Sequence, residues 1–148
     1  METATRPYAF SRKVFCEGMR DGVPIALGYF AVSFSLGIAA RKAGLTPVQG
    51  FFASLLNNAS AGEYAAFALI ASGATYLEVA IITLIANARY LLMSCALAQR
   101  FAPGTPFFHR LIIGYDVTDE LFGITIARPG WLNPFYTYGA IALAAPAW

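Results

Sequence analysis

The sequence predicts an all-α fold: a polytopic integral membrane helix bundle with one broken, re-entrant or crossing, helix. It reads as a single transmembrane domain over residues 1–148. Three observations predict this. Hydrophobic residues make up 58% of the chain and charged residues only 12%, against about 25% charged in a soluble domain. Mean hydropathy is +0.58. The charges are also unevenly spread, so that long apolar segments alternate with short basic, Gly- and Pro-bearing joints. So little charge cannot cover a water-facing surface. A soluble enzyme, a disordered chain and a nucleic-acid binder are thereby excluded. A net charge of +2 is too small to identify a partner.

The elements follow in order. Residues 1–21 carry Glu2, Arg6, Arg12, Lys13, Glu17, Arg20 and Asp21. They show no signal-peptide core or cleavage site and read as a cytoplasmic tail. The first apolar segment, 22–40, is uncharged for 19 residues. As a helix it would span roughly 28 Å, about the thickness of a bilayer core. Pro24 is expected in its first turn, and Arg41 and Lys42 close it before Gly44 and the Thr46-Pro47 turn. Gly28, Ser33, Ser35 and Gly37 are expected to permit close helix contact.

Segment 48–72 begins and ends apolar but holds Asn57, Asn58, Ser60, Gly62 and Glu63 near its middle. Polar groups at that depth are costly in lipid and are tolerated where open backbone lines a cavity. The segment therefore reads as a helix broken near Asn57–Gly62, followed by a turn at Gly73–Tyr76. Segment 79–98 carries Asn87 and Arg89 near its centre. Segment 111–127 contains Asp116, Asp119 and Glu120. Their i, i+3, i+4 spacing would place them on one helix face, unless the helix starts later and leaves them at the interface. Residues 131–148 form a last apolar stretch. The 20 residues from Pro129 carry no charge, so the sequence is expected to be the N-terminal portion of a longer protein. No repeat with a period of 20–50 residues is found.

Counting Lys and Arg by joint mildly favours re-entry of 48–72 and a cytoplasmic N-terminus. If 48–72 crosses, five fall inside and four outside; if it re-enters, six fall inside and three outside. Cys16 and Cys95 make no disulfide framework, and the single histidine, His109, leaves no zinc site or Ser-His-Asp triad. No catalytic residue, metal or cofactor is expected.

Three polar groups at membrane depth are the functional candidates, since burying one ionisable group costs at least about 2.5 kcal/mol. At the broken segment, Asn57, Asn58, Ser60, Gly62 and Glu63 are candidates for substrate binding. A half-helix N-terminus after Gly62 would suit a carboxylate, and Glu63 an ammonium or a proton. The bland alternative is a polar patch that glues helices together. Asn87 and Arg89 are the second candidate group. Arg89 needs a carboxylate partner, either a substrate or one of Glu63, Asp116, Asp119 and Glu120. Those acids form the third group, for coupling or ion pairing.

Four blocks then carry a resemblance: EGMRDGVPIALGY from Glu17, LLNNASAGEYAAFALI in the broken segment, ANARYLLM in the next, and TDELF at Thr118–Phe122. In that order they resemble the AzlC-like family of branched-chain amino acid permeases, from about Glu17 to the end. The resemblance implies an inner-membrane exporter of branched-chain amino acids, and apolar walls that separate neighbours weakly would extend it over Val, Leu, Ile and Met. It would be driven by an ion or proton gradient, with a small AzlD-type membrane subunit as partner. Family members are longer than this chain, and Glu63 stands where a neutral Gln is expected in relatives. The rivals are an ion or proton channel and a non-transporting truncated subunit.

Overall fold

The computed structural model describes residues 8–148. Glu2 and Arg6 of the expected tail lie outside the described residues. Helix covers 77% of what is described, and pairing outside helices is limited to one isolated bridge, Phe101 with Leu132. The fold class is all-α, consistent with a membrane helical bundle.

The elements are α1 (Arg12–Lys42), α2 (Pro47–Asn57), α3 (Ser60–Ala71), α4 (Tyr76–Ala98), α5 (Phe107–Tyr115), α6 (Asp119–Ile126) and α7 (Pro134–Ala144), with a final 3₁₀ turn at Ala145–Ala147. Among the described residues, α1 and α4 are the helices long and apolar enough to cross a membrane uninterrupted. Three features correct the sequence reading. Helix α1 begins at Arg12, so residues 12–21 are helical. Pro24 consequently sits in the helix interior, where its missing N–H leaves the carbonyl one turn back without its helical partner. The third correction is a second break. Segment 111–127 is not one helix but α5 and α6, parted at Asp116–Thr118.

The joints have simple local causes. At Gly44 (φ +83°) and Gly73 (φ +77°) the chain turns left-handed, which glycine adopts without penalty. The next N–H then reaches back to the helix, Leu45 to Ala40 O at 3.1 Å and Ala74 to Leu69 O at 3.0 Å. Thr46 caps α2 through a capping box with Gln49. Thr75 and Glu78 repeat it at α4, with the Thr75 N–H donating to Glu78 Oε2 at 2.7 Å. Both boxes satisfy orphan N–H groups at a helix start.

The chain divides into two compact units. One comprises 28–89 with 147–148. Its buried centre is Leu36, Ala40 and Phe67. Ser33 Oγ donates to Ala147 O at 3.2 Å, and Tyr29 meets Trp148 edge-on with ring centroids 5.1 Å apart.

The other unit comprises residues up to Leu27 together with 90–146. Leu97, Phe101, Ile113, Val117 and Leu132 form its buried centre, and α5 and α6 pack on α7. The start of α1 also lies against α7, backbone to backbone. A Cβ on Gly18 would overlap the Tyr136 carbonyl, one on Gly139 the Phe15 carbonyl, and one on Gly22 would stand 3.0 Å from the Ala140 Cα. Gly18 and Gly22 thus form a small-xxx-small contact. By contrast a Cβ at Gly28 or Gly37 would meet nothing within 4 Å, so the close glycine contact falls about two to five turns earlier on α1. Beside it Arg128 pairs with Glu17 at 2.8 Å and covers the Tyr136 ring at 4.4 Å. The Tyr136 hydroxyl donates to Asp21 Oδ2 at 2.7 Å.

Large apolar side chains face outward on both long helices. On α1 these include Leu27, Phe30 and Phe34, and on α4 Leu84, Leu91 and Leu92, all at least 70% exposed.

Candidate functional site

The break in the second apolar segment is sharp. Helix α2 ends at Asn57, Asn58 turns left-handed (φ +45°, ψ +37°) and Ala59 is extended. Helix α3 resumes at Ser60, earlier than the restart after Gly62 expected from sequence. Asparagine is the side chain after glycine that best tolerates this turn. Ala59 has no side-chain oxygen, so the first N–H groups of α3 carry no side-chain cap. Glu63 falls in the first turn, where a negative charge meets the positive end of the helix dipole.

Three of the candidate residues meet here. Asn87 of α4 donates its Nδ2 to Asn57 Oδ1 at 2.6 Å. Gly62 lets α4 approach, because a Cβ there would overlap the Asn87 amide oxygen. Asn87 Oδ1 itself is buried without a hydrogen-bond partner.

Glu63 points to a different surface. It is only 2% exposed and lines a partly open cavity of about 370 Å³ between α1, α2 and α3. Leu36, Phe51 and Phe67 give that cavity apolar walls, and Ser54 is polar beside Glu63. The Ser54 side chain hydrogen-bonds to the Glu63 carboxylate, while Glu63 Oε2 has no hydrogen-bond partner. Arg41, Trp148, Ser33 and Thr46 are also in the lining. A more open groove of about 670 Å³ adjoins it, sharing Ser33, Gly37, Arg41 and Trp148 and adding Lys42. A volume of this order suits a small ligand.

The remaining candidates lie elsewhere. Ser60 borders a shallow groove with Tyr64 and Ser35. Arg89 is exposed on α4 and does not line the Glu63 cavity. Asp116 ends α5, whereas Asp119 and Glu120 open α6 and are exposed. The three acids therefore do not share one helix face. Thr118 caps α6, its hydroxyl accepting from Leu121 N at 3.3 Å, and two acids in a first turn are favoured by the helix dipole. That Thr-acid-acid signature of a helix start is the signal that marks the second break. His109 Nδ1 lies 2.7 Å from the Tyr138 hydroxyl, and Cys16 and Cys95 are free thiols. Sequence reasoning missed Arg41, Ser54 and Trp148 as cavity residues. Ser54 sits one turn before the break, and that position is its only sequence signal.

The AzlC protein family matches the chain over residues 24–148, a stretch that includes the broken helix and Glu63. The chain belongs to the AzlC family. Among its AzlC relatives, the inner membrane protein YgaZ of Escherichia coli is 27% identical over 128 residues, covering 86% of this chain and 52% of the relative. An uncharacterized membrane protein of Archaeoglobus fulgidus is 29% identical over 113 residues, 76% of this chain and 49% of its own. One from Helicobacter pylori is 25% identical over 112 residues, 76% and 48%. The chain thus spans about half the length of the curated relatives it matches. No solved structure matches. AzlC proteins are a membrane transporter family linked to branched-chain amino acid transport, and this chain is a membrane protein.

Proposed function

We propose that this protein takes part in exporting branched-chain amino acids across the inner membrane. The observation that carries this reading is Glu63: a carboxyl group 2% exposed, with one oxygen unpartnered, in a largely apolar cavity beside a helix break. Burying a carboxyl with one oxygen unpartnered is costly, and a bound ligand, ion or proton would relieve that cost. The apolar walls suit an aliphatic side chain. Such walls separate neighbours by only about 1–3 kcal/mol per methylene, so Val, Leu, Ile and Met are all substrates. A proton or ion gradient drives the step, a small AzlD-type subunit is the partner, and the N-terminus is cytoplasmic.

Flux of radiolabelled leucine through membrane vesicles that carry the protein tests this. Saturable uptake that Val and Ile inhibit, and that collapses with the ion gradient, is the expected result. Ion current without any leucine movement would make it a channel instead.

A further inference from the structure

We infer that Arg41 and Glu63 are the two ends of a receptor for a small zwitterion, with Arg41 taking the carboxylate and Glu63 the ammonium. Both residues line the same cavity of about 370 Å³. This inference rests on amino acids being the cargo, but it assigns residues which that reading does not.

The chemistry is complementary at both ends. At the inner end, Glu63 Oε2 is buried and has no hydrogen-bond partner, while Ser54 holds the carboxylate. The oxygen left over is an acceptor for an N–H donor that the described residues do not supply. An ammonium brings three donors and a positive charge. At the outer end stands a guanidinium with five N–H donors, one of which goes to Leu45 O at 2.8 Å. Trp148 adds an indole N–H that is buried and also lacks a partner. A guanidinium with donors beyond its bond to Leu45 O and an indole N–H without an acceptor on one side, and an acceptor without a donor on the other, define what fits between them. The ligand accepts at one end and donates at the other, with an apolar body against Leu36 and Phe67.

The adjoining groove supplies the way in. It shares Arg41 and Trp148 with the cavity and adds Lys42. A carboxylate approaching along it meets positive charge first, while the ammonium can reach inward to Glu63. Arg89, the cation singled out from sequence, has no place in this cavity lining.

Trp148 makes the inference directly testable. The chain has two tryptophans, Trp131 and Trp148. In a Trp131→Phe background, indole emission therefore reports the cavity. Three probes of similar shape are titrated: L-leucine, 3-methylbutylamine, which lacks the carboxylate, and 4-methyl-2-oxopentanoate, which lacks the ammonium. Glu63→Gln is expected to weaken leucine and the amine at least tenfold and to spare the oxo acid. Arg41→Ala is expected to weaken leucine and the oxo acid at least tenfold and to spare the amine.

Leucine binding within twofold of the parent in both variants overturns the inference. So does equal loss of all three probes in variants that still run as a single species on size exclusion. If either variant does not run so, Glu63→Asp or Arg41→Lys replaces it, and the same selectivity must appear at smaller amplitude. Leucine flux with a silent Trp148 sinks the receptor and leaves export standing. Selective binding without flux keeps the receptor and removes export.

Discussion

Asn87 and Gly62 form a lock across the helix break: the Asn87 amide lies where a Gly62 side chain would be, and its Nδ2 donates to Asn57 Oδ1 at 2.6 Å. One side chain from α4 thus fixes both halves of the broken segment, the end of α2 and the start of α3. Gly62→Ala is expected to destabilise the protein by about 1–3 kcal/mol, the cost of overpacking a filled site. Adding Asn87→Ala should recover most of the loss, since the two substitutions share one contact. Thermal unfolding in detergent reads both values. Additive losses in the double variant would show that the contact is not the cause.

Glycines on α1 separate into two kinds, and the same helix supplies the control. Gly18→Ala on α1, like Gly139→Ala on the facing α7, drives a methyl into a backbone carbonyl that cannot swing aside. A loss of more than about 1–3 kcal/mol is expected. Gly28→Ala meets open space and should stabilise by about 0.5–1 kcal/mol through helix propensity. Melting temperatures of the variants should therefore move in opposite directions.

Around Tyr136 the hydrogen bond outweighs the ion pair. Tyr136→Phe leaves Asp21 without the donor that now stands at 2.7 Å, a loss of about 1–3 kcal/mol. Glu17→Gln breaks a pair whose side chains are 35% and 38% exposed, and solvent screening holds its effect to about 0–1 kcal/mol. Denaturant midpoints at low and high salt separate the two, because only the Glu17 variant should lose its difference in high salt.

Thr46 and Thr118 each cap a helix that follows a joint. Substituting either by alanine is expected to cost about 1 kcal/mol. Hydrogen exchange should then quicken in the first turn of α2 or of α6, respectively, and not elsewhere.

Arg89 sits mid-way along α4, where a guanidinium needs a carboxylate or water. Arg89→Ala should lower leucine efflux at least tenfold, and Arg89→Lys should keep part of it. Wild-type efflux by the alanine variant would free Arg89 from any part in transport.

Much of the fold was legible because polar insertions in apolar runs are rare and costly. Asn57 to Glu63 marked the first break, and Gly44 and Gly73 marked the turns around it. The second break was hidden by an arithmetic coincidence. Asp116, Asp119 and Glu120 have helical spacing, yet Thr118 between them starts a new helix and places two of the acids at its favourable end. The early start of α1 was hidden for a related reason. Glu17, Arg20 and Asp21 look like solvated charge, but Gly18 and Gly22 among them allow a helix close enough for Glu17 and Asp21 to find partners on and before α7. At the site, Glu63 stood out as an acid in an apolar run. Arg41 did not, because a basic residue at the end of a span is usual, and only tertiary packing brings it to the cavity that holds Glu63.

The outward stripe of Leu27, Phe30 and Phe34 on α1, each at least 70% exposed, bears on how the protein must be handled. Surface of that kind is content beside acyl chains and sticky in water. Copies released into plain buffer would find one another before any ligand did. Extraction into micelles or nanodiscs is thus a condition for holding the native arrangement, and a melting point has meaning only alongside the amphiphile in which it was taken.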